Sequence, residues 1–155
     1  MLKNISNKEF KAKVNEICNF IKTQPKYNYV IEIDDRLEYA YKCEAAFEMN
    51  LRSDYKALTT FFFDLSLAES YGLDVLSKNL SKIINTYKND IKSFAELILV
   101  LNNKAWLHDS DGAYNHAMMY SQLYYMVKEL YFEFYEGKRN TKYNEAIDYY
   151  MKYID

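Results

Sequence analysis

Ser93-Phe94-Ala95-Glu96-Leu97-Ile98-Leu99-Val100-Leu101-Asn102 is the stretch that decides the fold. Ser93 followed by Glu96 forms the reciprocal capping pair that opens a helix. Successive helical residues advance by 100°, so the five aliphatic residues from Leu97 to Leu101 cover its whole circumference. A helix with no polar side must be surrounded, and this one is therefore expected at the centre of the fold. The apolar run is far short of the roughly 20 residues a membrane span requires, and no membrane insertion is expected. Trp106 falls in the last turn of this helix, read as 93–107, as a core anchor or as a contact for a partner. Asp109-Ser110-Asp111-Gly112 then has the composition of a turn.

C-terminal to that turn, a long helix is predicted from Ala113 to Glu136, with His116, Met119, Leu123, Val127, Leu130 and Phe134 on one stripe. Tyr114, Met118, Tyr125 and Phe132 project at about 100° to 140° from the Ala113 direction, close to opposite that stripe. Two apolar faces need two covers. Either the helix is sandwiched within the domain or its second face meets a protein partner or a second copy, because Tyr and Met are favoured at interfaces. Gly137 and the polar Lys138 to Thr141 lead to a last short helix with Tyr143, Ala146, Ile147, Tyr150, Met151 and Ile154, where Tyr149 and Tyr153 extend the same patch.

On the N-terminal side, Ser6 and Glu9 repeat the capping pattern, and Phe10, Val14, Ile17 and Ile21 recur at helical spacing up to Gln24-Pro25. Residues 27–33 alternate with the period of a half-buried strand; strand, extended connector and helix start all remain open there. Asp34 and Asp35 can cap a helix carrying Leu37, Ala40, Tyr41, Phe47 and Leu51, and Ser53 can cap another with Leu58, Phe61, Phe62, Leu65 and Ala68 on one side. Gly72 ends it. Asp74 opens the next, with Leu73, Leu76, Leu80, Ile83, Ile84 and Tyr87 in register and Lys78 and Lys82 on the wet side.

Three Gly and one Pro occur in 155 residues, where average usage gives roughly 19, so there is little material for Gly-built hairpins. The fold class is all-α: one domain over 1–155, a compact bundle of six or seven helices, with a possible short extended segment at 27–33. A chain of this length buries a sufficient core without disulfides or metal. Cys18 and Cys43 lack metal-type spacing and Met1 to Phe10 lacks an apolar signal segment, so a reduced, cytoplasmic protein is expected. The net charge of −2 argues against a strongly electrostatic nucleic-acid binder and equally against an acidic DNA mimic, and makes nucleic acid a poor candidate for the main partner. Charge is nonetheless segregated: residues 1–31 hold six Lys against two Glu, and residues 32–69 hold four basic against nine acidic residues.

Catalytic signals are sparse. No Gly-rich phosphate loop or nucleophile elbow occurs, and neither Cys has a His nearby in sequence. A metal-dependent hydrolase using His108, Asp109 and His116 is the enzyme alternative, although no third His exists to complete such a site. His116, within an apolar stripe, reads better as a hydrogen-bonded core or boundary residue. No cofactor, metal ligand or catalytic residue is assigned.

Phe94-Ala95-Glu96-Leu97-Ile98-Leu99-Val100-Leu101-Asn102, then Trp106 and His108, then Tyr120-Ser121-Gln122-Leu123-Tyr124-Tyr125, resemble small helical accessory proteins of phages and conjugative elements of Gram-positive bacteria. The resemblance spans 94–155 and implies a non-enzymatic mobile-element protein. Small proteins of that origin often block host defences, RNA-guided nucleases included, by stoichiometric binding, which would make this chain an anti-CRISPR. The expected binding residues are Tyr114, Met118, Tyr125, Phe132, Tyr149 and Tyr153, acting as an aromatic patch flanked by acidic side chains against a basic groove. A homodimeric structural protein burying Tyr125 and Phe132 against its own copy is the other alternative.

Overall fold

The computed structural model describes residues 5–25, 56–110 and 112–135. Five helices make up this part of the chain: α1 (Asn7–Lys22), α2 (Lys56–Tyr71), α3 (Leu73–Tyr87), α4 (Ile91–Ser110) and α5 (Tyr114–Phe134). The described part is thus all-α, with five helices rather than six or seven. Segment 27–33 and the helices expected after Asp34-Asp35 and around Tyr143–Ile154 lie outside the described residues, as do Tyr149 and Tyr153.

Local chemistry explains the helix boundaries. Ser6 caps α1 by accepting the Glu9 N–H at 3.2 Å, and Phe10, Val14, Ile17 and Ile21 are all buried. Gly72 alone separates α2 from α3 and adopts φ +124°, where an added Cβ would meet nothing within 4 Å, so the backbone angle, not crowding, calls for glycine. Gly112, at φ +79°, turns the chain between α4 and α5. Helix α4 starts earlier than the Ser93–Glu96 pair predicts: Asp90 accepts the Ser93 N–H at 3.3 Å and the Ser93 hydroxyl at 2.9 Å. Ser93 is a residue of the first turn, and Asp90 supplies the cap. The helix also runs on through Asp109 to Ser110, which shortens the expected turn.

Helix α4 is central. Every residue from Leu97 to Leu101 is buried, and the helix packs against α2, α3 and α5, while α1 closes the arrangement against α3 and α5. Helices α4 and α5 run antiparallel, as their two ends show. At one end Phe94 of α4 lies 5.6 Å from Tyr131 and 6.1 Å from Tyr135, ring centre to ring centre, and Phe10 of α1 lies 4.6 Å from Phe134. At the other, His108 of α4 faces His116 and Tyr120 of α5. The separation of 14 positions from Phe94 to His108 sets these ends roughly 21 Å apart. One is an aromatic knot; the other is ionic.

Candidate functional site

Helix α5 divides into two faces. His116, Met119, Tyr120, Leu123, Val127, Leu130, Tyr131 and Phe134 are buried against the rest of the fold. On the far side Tyr114 is 64% exposed, Met118 71% and Tyr125 52%, so three of the expected binding residues stand on the surface. Phe132 is the exception. It is half-buried and packs on the core, its ring meeting Tyr131 edge-on at 5.3 Å with the Lys128 ammonium 6.0 Å from its centre. Trp106 is 40% exposed and is not a core anchor. Lys104 and His108 turn toward the interior, and Trp106, two residues from each, is rotated about 200° away from them.

Beside this aromatic face a shallow groove runs between α1 and α5. Ile17 and Leu130 form its floor with Met126, and Lys13, Glu16 and Glu129 form its rim. Lys13 and Glu133 pair across the two helices at 3.1 Å. That pairing, reinforced by Glu129 and Glu16, raises the Lys13 amine above its ordinary value against the opposing effect of burial.

Beneath the N-terminal end of the face lies an ionic cluster that joins three helices. Phe62, Ser66 and Glu69 recur at i, i+4 and i+7 on α2, and Leu97, Leu101, Lys104 and His108 follow the same spacing on α4. Lys104 Nζ donates to Ser66 Oγ at 2.8 Å and to Glu69 Oε2 at 3.3 Å. Its ammonium also sits 5.0 Å from the ring centres of both Phe62 and Tyr120, a cation between two π faces. His108 Nε2 approaches Glu69 Oε1 to 2.8 Å, and His116 Nε2 reaches the same oxygen at 3.9 Å. Tyr120 stacks on His108 at 5.4 Å. Burial works to raise the Glu69 carboxyl, but Lys104, His108 and His116 together outweigh it and hold the group down at about 2. Burial is also the main influence on His116; with help from His108 and Lys104, and against Glu69, it lowers the imidazole below its ordinary value.

The two histidines do come together, and His116 is the buried boundary residue its stripe implies. Asp109 does not join them, because it is exposed. The acidic partner is Glu69, from a different helix, and a lysine ammonium occupies the same cluster. Among the described residues no group of three His, Cys, Asp or Glu side chains could hold a metal ion, and His108 and His116 meet Glu69 where Asp109 was expected. Ser66 and Lys104, a pairing found in some nucleophilic sites, are both fully buried, so a substrate cannot reach them in this conformation. Sequence reasoning missed Glu69, Lys104 and Ser66. The available signal was a lysine on the inward stripe of an otherwise apolar helix.

No helix among the described residues is long and apolar enough to cross a membrane. Comparisons with protein families, curated proteins and solved structures give no match.

Proposed function

We propose that this chain is a non-enzymatic binding protein that engages another protein through the outer face of α5. The observation that carries this reading is the exposure of Tyr114, Met118 and Tyr125 on a helix whose opposite side is already fully used by the core. Large, rigid aromatic and thioether side chains become hot spots when a partner desolvates them. Glu129 is exposed on the same helix, and Glu16 and Glu129 share the rim of the adjoining groove with Lys13; the two carboxylates offer contacts for basic side chains of a partner. With the resemblance of 94–155 to mobile-element proteins, the partner becomes a host defence protein, and an RNA-guided nuclease with its basic nucleic-acid channel fits those contacts.

The test is inhibition of a purified RNA-guided nuclease from a Gram-positive host by the full chain. The expected result is loss of DNA cleavage near one-to-one stoichiometry. Met118→Ala and Tyr125→Ala, at exposed positions, should leave thermal stability nearly unchanged yet weaken inhibition by about tenfold or more each. Full cleavage at excess protein would remove the nuclease as partner. A concentration-dependent dimer in sedimentation that Tyr125→Ala dissolves would replace the reading by self-association.

A further inference from the structure

The exposed side of α5 has a regular form. Tyr114, Met118, Gln122, Tyr125 and Glu129 are all exposed, and their spacing places them within about 80° of arc, in a straight ridge roughly 22 Å long. The helix beneath is anchored at both ends. Ala117, Met119 and Tyr120 near its start and Leu130, Tyr131 and Phe134 near its end are buried, so the ridge stands on a rigid support and a partner has little to order on binding.

Along one flank of the ridge runs the groove between α1 and α5. The two helices are antiparallel, since Phe10 meets Phe134, Lys13 meets Glu133, and Ile17 shares the groove with Met126 and Leu130. Met126, half-buried, continues the apolar surface of Met118 and Tyr125 into the groove. On the rim, Lys13 is paired with Glu133 at 3.1 Å. With that pair taken as neutral, exposed Glu16 and Glu129 leave a negative charge on either side of the groove. A straight row of side chains beside a groove is the counterpart of another helix, whose own row of side chains lies in the groove. A second copy of this face would bring its own Glu16 and Glu129 and no further cation, whereas a helix with Lys or Arg beside its apolar stripe answers both carboxylates. We propose, building on the reading of α5 as the binding face, that the ridge and groove seat a basic amphipathic helix of the partner protein. Its apolar stripe lies on Met118, Tyr125 and Met126, and its cations face Glu16 and Glu129.

The probe is a labelled peptide of about three heptads, with Leu at the a and d positions and Lys at e and g, and the measurement is its anisotropy with the full chain. It should bind at least about tenfold tighter than a peptide of the same composition in scrambled order, or one with Glu in place of Lys. Tyr125→Ala should weaken binding about tenfold. Glu16→Gln combined with Glu129→Gln should weaken it about three- to tenfold and reduce its salt dependence. All three positions are exposed, so the variants keep the fold. No binding, equal binding of the scrambled or acidic peptide, or binding indifferent to Tyr125→Ala or to the paired Gln variant would each overturn the helix seat. So would a dimer of the chain alone that Tyr125→Ala dissolves, which assigns the ridge to a second copy. The nuclease takes no part in this measurement. Cleavage inhibited through Tyr125, with no preference for the basic helical peptide, would keep α5 as the binding face and reject the helix; peptide binding with unhindered cleavage would keep the helix seat and reject the nuclease.

Discussion

The Lys104 ammonium is shut away from bulk solvent. Ser66, Glu69 and the faces of Phe62 and Tyr120 form its surroundings, and its side chain is 1% exposed. Lys104→Met keeps much of the volume but strips Glu69 of the ammonium that lies 3.3 Å from it. The expected loss is roughly 3 kcal/mol, measured by urea unfolding, because an orphaned buried charge costs more than the pair contributed. Adding Glu69→Leu to Lys104→Met should recover more than half of that loss, since the unsatisfied charge is then gone. The inward lysine was legible in the sequence, but its partner was not. Glu69 and Lys104 are 35 residues apart, and single residues on two inward stripes become a pair only when α2 and α4 pack.

At the scale of the helices, the chain declares itself clearly where capping and periodicity agree. Ser6, Glu9 and the Phe10–Val14–Ile17–Ile21 stripe locate the start of α1 to the residue, though it ends at Lys22, short of Gln24-Pro25, and the all-round apolar Leu97 to Leu101 run identifies the central helix. Where two caps compete, the reading slips. Asp90 and Ser93 are both good N-cap residues, and the carboxylate wins because it takes both the N–H and the hydroxyl of Ser93. Asp90→Ala should therefore cost about 1 kcal/mol, whereas Ser93→Ala should cost less, since its N–H still reaches Asp90. Midpoints of chemical unfolding for the two variants separate these cases, and a larger loss in Ser93→Ala would restore Ser93 as the cap. The outward face of α5 was legible from helical angles alone at Tyr114, Met118 and Tyr125. Phe132 was not, because a wheel shows direction but cannot show a neighbouring lysine and tyrosine folding over the ring.

For the molecule as a whole, the two ends of the α4–α5 pair set opposite pH limits on stability. At the ionic end, Glu69 titrates near 2 when folded, against 4.5 when unfolded. A depressed carboxylate stabilises fully above its unfolded value and loses that contribution as pH falls from 4.5 toward 2, a swing on the order of 3 kcal/mol. His116, also depressed by burial, adds to the loss on the acid side as pH falls below the ordinary 6.5. At the aromatic end, the Tyr135 hydroxyl donates to the Lys88 carbonyl. Burial first, with Tyr131 and Asp90 acting in the same direction, pushes its phenol up to about 12 from 10. A raised acid of this kind stabilises below its unfolded value, and the contribution disappears as pH climbs from 10 to 12. Melting temperature should thus be flat between about 7 and 10 and fall on both sides. Tyr135→Phe should lower it by roughly 2–4 °C at pH 7, the worth of one hydrogen bond in a chain of this size, while flattening the alkaline fall and leaving the acid one intact. An alkaline limb as steep as that of the native chain would show that another group sets that limit.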